Sequence, residues 1–80
     1  MQIETKTTTK ARNGKNYEYT AFTFSNKKTD YKVILDKDGK WNVYRKNAGQ
    51  LNPSFACYHT DDELAGKGKI WKNFMQLVRS

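Results

Sequence analysis

The chain has 80 residues, a single-domain length, with 15 Lys plus Arg against 8 Asp plus Glu, a formal charge of +7. It has no apolar run near the ~18 residues of a membrane span, its eleven aromatic side chains argue against disorder, and one cysteine excludes an internal disulfide. The cationic excess excludes an acidic mimic of DNA and points to an anionic partner.

The opening Met1-Gln2-Ile3-Glu4-Thr5-Lys6 lacks the apolar stretch of a secretory leader, and the lone thiol suits a reducing compartment, so a cytoplasmic location is expected. Charge is uneven along the chain. Residues 1–50 hold eleven basic and five acidic side chains, whereas residues 51–80 hold four and three. The first part is written in strand residues and the last in helix residues, with no internal repeat.

The first hairpin is signalled by Asn13-Gly14, which tolerates positive φ at both centres of a type I′ turn. Pairing Arg12 with Lys15 sets Thr5 opposite Phe22 and Ile3 opposite Phe24. One face then collects Ile3, Thr5, Thr7, Thr20, Phe22 and Phe24; the other collects Lys6, Thr8, Lys10, Tyr17, Tyr19 and Ala21. The first set is the better core, because two Phe and an Ile outrank two Tyr for burial.

The second hairpin allows two registers. A two-residue turn at Asp38-Gly39 puts Leu35 on the face of Asn42. A type I turn through Lys37-Asp38, with Gly39 as a left-handed bulge, pairs Asp36 with Lys40 and joins Tyr31, Val33 and Leu35 to Trp41 and Val43. Hydrophobic agreement selects the bulged turn, since a one-residue slip moves every side chain of a strand to the wrong side. The outer face then reads Lys32, Ile34, Asp36, Lys40, Asn42, Tyr44 and Lys46, among which Ile34 does not fit.

Asn47 to Pro53 reads as a loop, followed by a short strand from Ser54 to His59 with Phe55 and Cys57 inward and Tyr58 outward. Thr60-Asp61-Asp62-Glu63 is a capping box with acidic residues suited to a helix N-terminus. The helix is expected over about 61–78, with a break at 66–68, because Gly66 and Gly68 each cost about 1 kcal/mol in a helix interior. Beyond the break Ile70, Trp71, Phe74, Met75, Leu77 and Val78 form an apolar stripe. The expected class is α+β: a single domain over 1–80, with an antiparallel sheet of four to five strands (two hairpins plus a short strand, about 2–59) covered on one face by a C-terminal helix.

Chemistry is thinly represented, and no enzyme activity or cofactor is expected. Cys57 and His59 fall two apart on a strand without an orienting group or oxyanion donor, so the bland reading is a small thiol beside a strand-end imidazole. One Cys and one His fall short of a zinc site, and Asp36, Asp38 and Gly39 lack the remaining ligands of a calcium loop. Gly66-Lys67-Gly68-Lys69 lacks the Walker spacing, though it offers amides and two ammonium groups at a helix start.

The strongest functional signal is the outer sheet face, where Lys6, Lys10, Lys32, Lys40 and Lys46 stand with Tyr17, Tyr19 and Tyr44. Ammonium groups neutralise phosphates and rings stack on exposed bases at about 1–3 kcal/mol each. The competing reading is a solvated sheet face, with Lys for solubility and Tyr for strand propensity.

Strands followed by one helix resembles the Whirly and transcriptional-coactivator group, which implies a sheet that binds single-stranded DNA. Gly39-Lys40-Trp41, Phe55 and Thr60-Asp61-Asp62-Glu63-Leu64-Ala65 are similar to local features of three-stranded DNA-binding domains, those of plant ethylene-response factors and some integrase arm-binding domains. Those domains read guanine edges with strand arginines, whereas the strand cations here are mostly Lys. Three functions follow as expectations: a nucleic-acid module preferring single strands; a protein-binding inhibitor or adaptor of phage or mobile-element type; and a duplex binder with the sheet in the major groove. A homodimer formed by edge pairing or through Trp71 is compatible with each.

Overall fold

In the computed structural model, which describes residues 2–80, Asn13 and Gly14 take φ of 52° and 75°, as a type I′ turn demands. The turn joins β1 (Glu4–Arg12) to β2 (Lys15–Asn26) in the expected register, Thr5 opposite Phe22 and Arg12 opposite Lys15. A tight turn at Lys27-Lys28, with Lys27 at φ 57°, leads into β3 (Thr29–Leu35). No Gly or Pro marks that turn.

The connection from β3 to β4 (Trp41–Asn47) is the bulged form. Gly39 takes φ 82° and donates its N–H to Asp36 O, while the Asp36 N–H reaches Lys40 O, each at 3.1 Å. Leu35 therefore faces Trp41, and Val33 faces Val43. After the loop comes β5 (Ser54–Tyr58), completing an antiparallel meander in the order β1-β2-β3-β4-β5.

The chain closes with α1 (Asp61–Ala65) and α2 (Lys69–Arg79), separated where Gly66 and Gly68 stand. Thr60 caps α1, its Oγ1 accepting from the Glu63 N–H at 3.0 Å. The Glu63 carboxylate reaches one residue further back than a capping box requires, to the His59 N–H. Gly68 precedes α2 with φ 155° and ψ 170°, a conformation open essentially to glycine alone.

The core lies between the helices and the inner face of β2–β4. Phe22, Phe24, Val33, Trp41 and Val43 meet Leu64, Trp71 and Phe74, all buried. Phe74 is the hub, with its ring centroid 5.5–5.7 Å from those of Phe22, Phe24, Trp41 and Trp71. Tyr31 stacks on Phe24 at 4.9 Å and meets Trp71 edge-on.

Three inward assignments, Phe55, Cys57 and Leu77, and the outward one of Tyr58 are corrected. In β5 the pairing of Trp41 with Tyr58 and Tyr44 with Phe55 turns Tyr58 toward the core and Phe55 and Cys57 outward. Tyr58 packs beside the buried cluster, with the Lys67 ammonium 5.4 Å from its ring centre, and Phe55 is 58% exposed. Leu77 is 52% exposed at the margin of the helical stripe, where α2 passes the thin, threonine-rich strand β1.

Pairing between β2 and β3 ends at Thr20–Leu35. Beyond it the β1–β2 hairpin continues alone, from Thr8–Tyr19 to Arg12–Lys15, about 14 Å at strand rise.

Candidate nucleic-acid interface

Side chains alternate across a strand, so the registers fix which residues share the face away from the helices. Lys6, Lys10, Tyr17, Tyr19, Lys32, Lys40, Tyr44 and Lys46 all fall on that face. The three tyrosines are half-buried and the lysines, Lys40 apart, are exposed.

These residues fall into two groups. On the projecting ribbon Lys10 lies directly opposite Tyr17, and Tyr19 follows two residues on. On the five-stranded part, Lys32 lies opposite Tyr44, which lies opposite Phe55; Lys46 lies opposite Asp30 one row away. From the row of Ser25 to that of Tyr17 is eight residues of β2, about 27 Å. Lys6 joins the groups along the row Lys6, Ala21, Ile34 and Asn42. Lys40 stands apart at the bulged turn.

Sequence reasoning missed the aromatic extension of this face. Tyr44 and Phe55 rings approach with centroids 5.1 Å apart at 46°, so the phenol has a ring neighbour across the strands. Beside them an open concavity of about 1200 Å³ runs from the outer face, at Glu4, Thr23, Asp30, Lys32, Tyr44 and Lys46, round the sheet end to Ile3, Phe24 and Tyr31 of the inner face. Ile34 also lines it, which accounts for the apolar residue on a polar face.

Glu4, Asp30 and Asp36 interrupt the basic face, the two aspartates in defined settings. Asp36 Oδ1 accepts the backbone N–H groups of Asp38 and Lys40 at 2.9 and 3.0 Å, tying the bulged turn. Asp30 Oδ1 accepts from Ser25 Oγ at 2.6 Å. Among the described residues, the sole salt bridge joins Arg79 to Asp61 on the helical side, so the outer lysines have no carboxylate partner within ion-pair distance.

The other candidate chemistry does not assemble. Cys57 is exposed on the outer face opposite Asn42, with no orienting group around it and His59. Among the described residues no three of His, Cys, Asp and Glu gather as metal ligands, and no helix is long and apolar enough to cross a membrane.

No known family model, characterised protein or solved structure matches this chain. The likeness to strand-then-helix DNA-binding groups therefore has no support beyond element order and those short local features, and function must be argued from the site.

Proposed function

We propose that this protein is a small nucleic-acid-binding module that takes single strands across the outer face of its sheet. One observation carries the reading: five lysines and three tyrosines share one face of the sheet, and over its five-stranded part the opposite face is roofed by α1 and α2. The lysines neutralise phosphates and release counterions; the tyrosines and Phe55 give bases flat surfaces to stack on. Stacking accepts any base, so sequence preference is weak over most of the track. Lys is a point charge without the planar fork that reads guanine in a duplex groove, which favours single strands over sequence-specific duplex binding. A lone exposed thiol fits action in a reducing compartment such as the cytoplasm.

Titration of a fluorescent oligothymidylate at two salt concentrations tests this. Affinity should fall with salt, each neutralised phosphate adding about 0.7 to the log–log slope. Affinity indifferent to salt, or a tenfold preference for the matching duplex, ends the reading.

A protein-binding role is the second reading, favoured by Phe55 on the edge strand β5 and by Leu51, 92% exposed in the preceding loop. A single protein retained in a pull-down after nuclease treatment would promote it above the first.

A further inference from the structure

The hollow beside Tyr44 is lined by charges of both signs, Glu4 and Asp30 against Lys32 and Lys46, where a plain phosphate-binding face needs only positive ones. Asp30 on β3 and Lys46 on β4 are direct cross-strand partners on the outer face, and both line the hollow. Direct partners stand about 4.5–5.5 Å apart, yet these two form no salt bridge. Ser25 Oγ holds Asp30 Oδ1 at 2.6 Å and so fixes the carboxylate's orientation. Tyr44 lies diagonal to Asp30, about 7–8 Å away, within reach of a base stacked on its ring.

We infer that this hollow seats one unstacked guanine of a bound single strand, which rests on the reading of the face as a single-strand track. The Watson–Crick edge of guanine presents two adjacent donors, N1–H and N2–H, followed by the O6 acceptor. A carboxylate beside an ammonium group offers the complementary array: Asp30 accepts from N1–H and N2–H, and Lys46 donates to O6. Adenine, cytosine and thymine each place an acceptor where guanine places one of its donors. The face of the base lies on Tyr44, and Lys32, opposite Tyr44, takes a flanking phosphate.

The test uses the whole chain and nine-residue oligothymidylates whose central base is guanine, inosine, adenine or cytosine, read by fluorescence anisotropy. The guanine strand should bind about fivefold or more tightly than the adenine and cytosine strands, with inosine between because it lacks the N2 amine. Asp30→Asn should abolish the guanine preference and, by removing a negative charge from the face, raise affinity for all the strands alike, its fold checked by circular dichroism. The inosine comparison needs no variant, so a folding defect in Asp30→Asn does not rescue the idea. Equal, salt-dependent binding of all four strands overturns the guanine assignment and leaves the single-strand reading standing. A guanine preference that survives in a folded Asp30→Asn protein overturns the assignment to this hollow. Displacement of the guanine strand by equimolar guanosine monophosphate overturns the strand form of the proposal, and binding of none of the strands overturns both readings.

Discussion

The indole N–H of Trp41, fully buried at the start of β4, donates to Asp61 Oδ1 at 2.7 Å, so the first residue of α1 satisfies the one polar atom of the sheet's central ring. The same carboxylate accepts from Arg79 at the end of α2, at 3.0 and 3.2 Å, and the Arg79 guanidinium lies 5.4 Å from the Trp41 ring centre. One aspartate thus ties sheet, first helix and last turn together. Asp61→Ala should lower stability by about 1–3 kcal/mol in urea unfolding, because it orphans a buried donor. The Arg79→Ala effect should be smaller, about 1 kcal/mol or less, because that ion pair is partly solvated.

The Asp61 carboxyl is held below its usual 3.8 first by the side-chain hydrogen bonds from Arg79, then by the Trp41 donor and by the charge of Arg79, with desolvation opposing. A depressed folded-state pKa gives stability that is complete above 3.8 and is lost as pH falls through the lower folded value. Urea midpoints measured from about pH 5 down to about pH 2 should fall more steeply for the wild type than for Asp61→Asn. Parallel slopes would remove Asp61 from the acid response.

Phe74 meets four aromatic rings from β2, β4 and α2. Phe74→Ala should cost about 3–5 kcal/mol, enough to unfold much of a small domain. A loss below about 1 kcal/mol would mean that α2 does not pack as described.

The outward rotation of β5 makes a contrast between neighbouring positions. Phe55→Ser should cost about 1 kcal/mol through loss of its pairing with Tyr44, whereas Tyr58→Ser, which removes packing against the core, should cost about 2 kcal/mol or more. The reverse order would restore the register expected from sequence.

Tyr44→Ala should weaken single-strand binding by about 1–3 kcal/mol and leave duplex binding nearly unchanged, as should Tyr17→Ala and Tyr19→Ala. Lys32→Ala should weaken binding to every sequence and reduce the salt slope by about 0.7. A tyrosine series without effect on single strands would leave the lysine face as ordinary solvation.

Gly68→Ala should cost about 1–3 kcal/mol even though the added methyl meets open space, since its backbone conformation is denied to other residues. Thermal unfolding of that variant separates backbone strain from packing.

Much of the fold was legible because local chemistry and alternation agreed. Asn13-Gly14 set the first register, and the choice between two turns at Asp38-Gly39 followed from which one gathered Val33, Leu35, Trp41 and Val43 on a single face. The capping box and the paired glycines marked the helices and their break. The turn at Lys27-Lys28 left no signal, because the strands on either side, rather than its own residues, force the positive φ.

The edge strand and the outer hollow were decided only in three dimensions. In Ser54–Tyr58 both alternating sets contain an aromatic ring, so periodicity cannot choose which ring faces inward; the space beside Trp41 and under Lys67 selects Tyr58. Asp30 and Lys46 lie sixteen residues apart, and their meeting with Tyr44 over one concavity depends on strand register and sheet curvature together. Sequence alone determined which residues of one strand share a face, since alternation is a property of each strand, but not which face of β5 meets the core. Which side chains from different strands become neighbours was settled by the pairing of the folded sheet, because contact across strands is set by the geometry of the whole assembly.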